Sequence, residues 1–154
     1  MKKLFFILLF PCFAQAQCPQ WIKGSRDSVI NLFKVADQYL QFDLMKSFDT
    51  SQQGKIRLTD PHSYCILQAT FYKENVFQGN DLVSKFTTAN HITIQGPTDR
   101  MDKFLNEYLM PAIEKCDTKK GPQWIYFGKT LMVIRTDATN PIKSIDMDYK
   151  ETAP

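Results

Sequence analysis

The chain has 154 residues and a formal net charge of +3, from 19 Lys and Arg against 16 Asp and Glu. Two of the basic residues, Lys2 and Lys3, lie at the amino terminus, so the rest of the chain carries a net charge near +1. A charge this small and this scattered excludes a uniform basic surface for nucleic acid or for an anionic membrane.

The first 16 residues have the organisation of a secretory signal peptide. Lys2 and Lys3 precede an apolar run from Leu4 to Phe10, and Ala14-Gln15-Ala16 places small residues at the minus-three and minus-one positions of a signal-peptidase site. Cleavage after this triplet leaves residues 17–154, which we expect to form a single α+β domain in the periplasm or outside the cell. Since no later stretch approaches the roughly 20 apolar residues that span a bilayer as a helix, we expect no transmembrane anchor.

A helix is the first predicted element after the cleavage site. Ser25 is a suitable N-cap, because its hydroxyl can accept a hydrogen bond from an amide of the first helical turn. Apolar residues then recur at spacings of three or four, at Val29, Phe33, Ala36, Leu40 and Leu44. This spacing predicts an amphipathic helix over about residues 26–46.

Two strands follow, and a turn separates them. The segments 55–59 and 63–73 read as strands, and Asp60-Pro61-His62 is a turn signal. Alternation in the second strand places Cys65 on its apolar face. The opposite, half-polar face is the candidate binding surface, with Tyr64, Gln68 and Tyr72.

Residues 76–90 are predicted to contain a short helix. Asn80 or Asp81 is a suitable N-cap, and the helix would end at Phe86. Residues 91–95 then alternate as a strand.

The next element is predicted to be a long helix that begins at Thr98. Apolar residues follow the i, i+3, i+4, i+7 rule over four turns up to Cys116, and Lys119-Lys120 reads as the charged end of the helix. Pro111 interrupts the amide ladder, so we expect a bend near residues 106–107.

The end of the chain reads as a three-stranded meander over residues 123–127, 130–135 and 143–149, with a tight turn at Gly128-Lys129. The order of elements predicts an α+β fold in which two main helices pack on an antiparallel sheet that ends in this meander.

Three cysteines remain after cleavage, and an odd number in an oxidising compartment predicts one disulfide and one free thiol. Cys65 lies on the apolar face of its strand and Cys116 on the apolar stripe of its helix, so we predict that these two pair. A bridge from Cys18 to either of them is the main alternative, and three free thiols are a further one. If Cys65 and Cys116 pair, Cys18 is available to link two copies into a homodimer.

Neither Cys12 nor Cys18 follows a small residue, so we expect no lipid anchor.

Two histidines and two aspartates are the residues available for catalysis. His62 lies in a turn and His91 starts a strand, and neither belongs to a pair spaced for metal ligation. Asp146 and Asp148 share one face of the last strand, about 7 Å apart, which suits a divalent cation or an acid–base pair. Their alternation with apolar residues is also what a solvated sheet face requires, and we favour that interpretation. We therefore assign no catalytic residue, no metal site and no cofactor.

The sequence favours a non-enzymatic, exported module that binds another protein, such as an inhibitor, a toxin-immunity protein or a subunit of a secretion or envelope assembly. The alternative is a small-molecule pocket or a small hydrolase that uses His62, His91, Asp146 and Asp148. Geometry separates the two classes. Convergence of these side chains in one deep cavity favours the enzyme, and a solvated arrangement favours the binding module.

Overall fold

The computed structural model describes residues 18–42 and 53–154, so the predicted signal peptide and the end of the first predicted helix lie outside the described residues. One antiparallel sheet of seven strands dominates this part of the chain. The elements in chain order are α1 (Arg26–Leu40), β1 (Lys55–Asp60), β2 (Cys65–Gln78), β3 (Asp81–Pro97), α2 (Thr98–Phe104), a π-helical segment (Leu105–Leu109), α3 (Met110–Ile113), β4 (Thr118–Lys120), β5 (Trp124–Phe127), β6 (Thr130–Thr136) and β7 (Ile142–Tyr149). The strand order in the sheet is β1-β2-β3-β7-β6-β5-β4.

The predicted α+β fold with two main helices packed on a sheet is wrong, because the molecule is mostly sheet. Strands take 46% of the described residues and helices 24%. Two segments predicted as helical are strands: most of 76–90 belongs to β2 and β3, and Lys119-Lys120 belongs to β4. The terminal meander therefore has four strands, β4 to β7, rather than three.

A two-residue loop explains the wrong helix prediction at residues 76–90. Gly79 and Asn80 connect β2 to β3, and Gly79 has a φ of +67°, a conformation that glycine adopts without a steric penalty. A Gly-Asn pair between two alternating runs is a hairpin signal. The cross-strand contacts of a hairpin then outweigh the local capping preference of Asn80 or Asp81.

The β2–β3 hairpin extends well past the rest of the sheet. Pairing with β1 ends at Thr70, and pairing with β7 ends at His91. Beyond these residues the strand partners of β2 and β3 are each other, interrupted by register shifts around Phe71. We call the projecting ribbon, residues 72–88, the arm.

The first helix begins and ends with the expected chemistry. The Ser25 hydroxyl accepts a hydrogen bond from the Ser28 amide at 3.2 Å, which confirms the predicted N-cap. Gln41 ends the helix in the left-handed region with a φ of +54°. The buried stripe of α1 consists of Val29, Leu32, Phe33, Ala36 and Leu40.

The second helical stretch runs from Thr98 to Ile113 in three segments. The π-helical segment Leu105–Leu109 precedes Pro111, whose ring and missing amide hydrogen disturb a regular α-helical ladder one turn earlier. No helix among the described residues is long and apolar enough to cross a bilayer.

Both helical stretches pack on the same face of the sheet. Gly96 in β3 makes room for α1, since a Cβ at this position would lie 2.6 Å from the Leu40 side chain. Arg100 in α2 donates a hydrogen bond of 2.7 Å to the Leu40 carbonyl, and Asp102 forms an ion pair with Lys143 of β7. These contacts hold the two helices to each other and to the centre of the sheet.

The predicted Cys65–Cys116 disulfide is wrong: the bridge joins Cys18 to Cys116, and Cys65 is a buried free thiol. Cys65 faces the carboxyl end of α1, with its Sγ 4.0 Å from the Leu40 carbonyl oxygen, whereas Cys116 follows α3 at the far end of the other helical stretch. Burial raises the pKa of the Cys65 thiol. Since Cys18 is bonded within the chain, it has no free thiol to link two copies.

The segment that carries Cys18 is anchored by its neighbour Trp21. The indole is buried and packs edge-on against Phe127 of β5, with 6.0 Å between ring centroids, and at 6.4 Å from the ring of Tyr108. Sequence periodicity does not place this segment, because it contains no regular element. The packing of Trp21 against the core and the Cys18–Cys116 bridge together place this segment.

Candidate functional site

The face of the sheet that points away from the helices is the candidate functional site, and we call it the open face. In β1, β5, β7 and the part of β3 that pairs with β7, alternate strand residues are buried, and these buried residues lie on the helix side. Within the described ranges 18–42 and 53–154, no helix packs over the open face.

The register aligns the open-face side chains in rows across the sheet. The first row, from β1 to β5, is Lys55, Thr70, His91, Asp148, Leu131 and Tyr126. The second row is Arg57, Gln68, Thr93, Asp146, Val133 and Trp124. The open face is therefore polar over β1, β2, β3 and β7, and apolar over β5 and β6.

A hydrogen-bonded network occupies the middle of the open face. His91 Nδ1 lies 2.7 Å from Asp148 Oδ1, and His91 Nε2 lies 2.9 Å from Thr93 Oγ1. The Thr93 hydroxyl donates to Asp146 Oδ1 at 2.8 Å, and Arg135 forms an ion pair with the same carboxylate. β3 contributes His91 and Thr93, whereas β7 contributes both aspartates, so the pairing of these two strands creates the network.

The two aspartates differ in their surroundings. The Asp146 side chain is 13% exposed and the Asp148 side chain 46% exposed. The interpretation of both as solvated side chains therefore suits Asp148 alone. Asp146 is the carboxylate around which Thr93 and Arg135 are arranged.

The order Asp148, His91, Thr93 matches that of a carboxylate, a base and a hydroxyl. Thr93 Oγ1 lies 2.9 Å from His91 Nε2 and 2.8 Å from Asp146 Oδ1, so Asp146 competes with the imidazole for the one hydroxyl hydrogen of Thr93. β3 is also paired on both sides at Thr93, so its backbone amides are committed to the sheet and are not free to stabilise an oxyanion.

His62 stands apart from this network. It lies exposed in the turn between β1 and β2, where its amide donates to Asp60 Oδ1 at 3.1 Å and Ser63 donates to the other carboxylate oxygen at 2.8 Å. His91 pairs with Thr70, five residues along β2 from Cys65, or roughly 17 Å at 3.4 Å per residue. The structure brings His91 to both aspartates but does not bring His62 to them.

The three residues of the predicted binding surface lie at three places along β2 and the turn before it. Gln68 lies on the open face between Arg57 and Thr93. Tyr64 precedes β2 in the left-handed region with a φ of +56°, and Tyr72 lies at the register shifts where the arm begins. A turn and an irregular pairing thus flank the regular part of β2 that holds Gln68, and a binding surface shared by the three residues stays a prediction.

The apolar half of the open face is centred on Trp124. Its indole lies against Gly121, where a Cβ would stand 2.1 Å from Nε1, so only glycine fits beneath the ring. Tyr126 is held at the rim by its hydroxyl hydrogen, which is shared between the carbonyl oxygens of Lys150 and Glu151, at O···O distances of 3.3 Å and 3.2 Å. Sequence analysis missed this band, although the alternation of Trp124 and Tyr126 with two buried residues in β5 indicates it.

A shallow hollow lies at one end of the open face. It has a volume of about 360 Å³ and is lined by Gln95, Arg135, Thr136, Asp137, Ile142 and Ser144. Asp137 organises the loop beside it: hydrogen bonds from the Thr139 hydroxyl and amide, and then from Asn140, lower the Asp137 pKa to about 2. The loop at the rim of the hollow is therefore held by hydrogen bonds to Asp137, and the same bonds favour the ionised form of this carboxylate.

In the described residues, no three His, Cys, Asp or Glu side chains are grouped so that they could hold a metal ion.

The chain matches no known protein-family model, and neither a curated protein nor a solved structure shows significant similarity to it. Function therefore has to be inferred from the open face itself.

Proposed function

We propose that the protein is an exported, non-enzymatic module that binds another protein on the open face of its sheet. The observation that carries this proposal is the composition of that face: an apolar band with Trp124 and Val133 lies directly beside an ordered polar network around Asp146. Protein interfaces combine these two features, with aromatic residues at the centre and satisfied polar groups around them.

The shape of the site supports a macromolecular ligand. His91 and both aspartates converge on an open sheet face and not in a deep cavity, whereas small-molecule sites enclose most of their ligand. Since the network holds its side chains in hydrogen bonds, little side-chain entropy is lost when a partner docks. An open and ordered surface of this kind suits a folded protein partner better than a substrate.

Export is supported by two independent features. Residues 1–16 have the pattern of a signal peptide, and the Cys18–Cys116 bridge is a bond that persists in oxidising compartments. The proposed site of action is the periplasm or the extracellular space.

The proposal is tested by affinity capture with matched variants. The mature chain is immobilised and exposed to an envelope and culture-supernatant extract. The test variant, Trp124→Ala/Val133→Ser, changes the open face. The control variant, Lys34→Ala/Gln38→Ala, changes the exposed side of α1. We expect a partner that binds the mature chain and the α1 variant equally and binds the open-face variant at least about tenfold more weakly, as truncation of central interface residues does. Equal binding of the captured partner to both variants contradicts the proposed site, provided that thermal melts show all three proteins folded.

A further inference from the structure

The arm carries an exposed apolar tip on one of its two faces. Three cross-strand pairs share this face: Lys73 with Phe86 at the base, Asn75 with Ser84 in the middle, and Phe77 with Leu82 at the tip. Phe77 is 76% exposed and Leu82 is 61% exposed. A two-stranded ribbon is marginally stable by itself in water. We therefore expect a binding partner to cover the exposed apolar tip of the arm.

A hollow lies at the base of the arm on the side of Phe86. It has a volume of about 590 Å³ and is lined by Arg26, Gln53, Ser84, Lys85, Phe86 and Thr87. The Phe86 ring packs over Gly54, where a Cβ would stand 2.6 Å from it, so the ring forms an apolar wall of the hollow. The same face of one chain thus holds an apolar projection and, four residues or roughly 14 Å along the ribbon, a hollow with one aromatic wall, Phe86, among polar and charged lining residues.

We propose that the arm docks face to face and antiparallel on the arm of a second copy of this chain. A two-fold axis at the Asn75–Ser84 pair places Leu82 over Phe86 of the second copy, and the reverse contact forms at the same time. The same rotation places Phe77 over Lys73 of the second copy, where the ammonium meets the face of the ring. The two Asn75 amides then meet across the axis.

The distribution of charge on the arm favours this occupant. Lys73 and Lys85 balance Glu74 and Asp81, so the arm has no net charge to draw it to an anionic membrane. The apolar tip and the hollow lie on one face of the arm. A two-fold contact therefore places the tip of each copy against the hollow of the other and forms a closed dimer. A head-to-tail contact would leave one tip and one hollow uncovered and would continue as a fibre.

The first test is the molecular mass of the disulfide-bonded mature chain, measured by sedimentation equilibrium over a range of concentrations. We expect a reversible dimer for the parent chain and for Tyr64→Ser, which removes an aromatic side chain that is 61% exposed outside the arm. We expect Phe77→Ser/Leu82→Ser to raise the dimer dissociation constant at least about tenfold. A parent chain that stays monomeric at about 100 µM, which corresponds to a contact weaker than roughly 5 kcal/mol, overturns the proposal, as does a dimer that the double substitution leaves unchanged.

The second test reads the register of the contact and does not depend on weakening the arm. In a Cys65→Ala background, Asn75→Cys places a thiol at the two-fold axis, and Val76→Cys places one on the opposite face of the same strand. We expect mild oxidation to convert Asn75→Cys to a covalent dimer at least about tenfold faster than Val76→Cys, because only the first thiol meets its own copy. Equal rates overturn the proposed register, and so does association of the parent chain with anionic vesicles in place of dimerisation. These measurements involve no open-face residue, so their outcome does not depend on whether the open face binds a partner.

Discussion

Asp146 and Asp148 lie two residues apart on the same face of β7, yet they are in different chemical environments. Asp146 accepts hydrogen bonds from Thr93 and Arg135 with its side chain 13% exposed, and Asp148 contacts His91 with its side chain 46% exposed. The difference comes from position: the second row crosses the sheet nearer to its middle, where β6 and β3 side chains close over Asp146. A carboxylate with two charged or polar partners away from water contributes more to stability than one at the surface.

This difference predicts unequal costs for the same substitution. We expect Asp146→Ala to lower the free energy of unfolding by about 1–3 kcal/mol, because Thr93 and Arg135 lose their acceptor. Asp148→Ala, the matched control on the same strand and face, should cost less than about 1 kcal/mol, since its contact is largely solvated. Urea denaturation of both variants measures these values, and an equal loss for the two aspartates would contradict the central role of Asp146.

At the scale of the elements, two glycine turns hold the hairpins of the sheet. Gly128 and Lys129 connect β5 to β6 with φ values of +49° and +65°, and Gly79 connects β2 to β3 with a φ of +67°. Both turns adopt backbone conformations that match the twist of the strands. Their surroundings differ, because a Cβ at Gly128 would lie 3.0 Å from the Cys18 sulfur, whereas nothing lies within 4 Å of one at Gly79.

Alanine at these two glycines should therefore give different results. We expect Gly128→Ala to destabilise the protein by about 1–2 kcal/mol or more, from the left-handed conformation and the crowding of the disulfide. Gly79→Ala carries backbone strain alone, at the tip of an arm that can open locally, so its effect on global unfolding should stay below about 1 kcal/mol. Thermal and urea melts check both values. A larger loss for Gly79→Ala would show that the arm unfolds together with the sheet.

At the scale of the whole molecule, the Cys18–Cys116 bridge spans 98 residues and encloses both helical stretches and the first three strands. A loop of this length greatly restricts the unfolded chain, which is the main source of disulfide stabilisation in the chain-entropy model. The bridge also holds the Trp21 segment against Tyr108 and Phe127. The bridge attaches an irregular segment to the core, because this segment has no helix or strand whose apolar face could pack there.

Removal of the Cys18–Cys116 bridge should lower the stability of the protein, and removal of the Cys65 thiol should leave the effect of the bridge intact. We expect Cys18→Ser/Cys116→Ser to lower the free energy of unfolding by about 2–5 kcal/mol, and reduction with dithiothreitol to lower that of the parent chain similarly. Cys65→Ala is the matched control: it should remain sensitive to the reductant, whereas the double variant should not. A non-reducing peptide map that links Cys65 to either of the other cysteines would refute the assignment.

Local periodicity predicted the regular elements wherever one face of an element is buried. The strands near residues 55–59, 130–135 and 143–149, the starts of both helical stretches and the turn at Gly128 agree with the structure to within a residue or two. The arm was missed because most of its side chains are exposed on both faces, so alternation between apolar and polar residues is not required there. The Gly79-Asn80 pair was the remaining local signal.

The sequence by itself thus determined where most strands and helices begin, which of their faces are apolar, and that one thiol is left over among Cys18, Cys65 and Cys116. Only the tertiary structure decided which strands are neighbours. β7 pairs with β3, which brings Asp148 to His91 across 57 residues of sequence, and the same assembly brings Cys18 to Cys116. Periodicity reports how each residue alternates between core and solvent, but contacts between distant segments depend on the packing of the whole core, which no local pattern encodes.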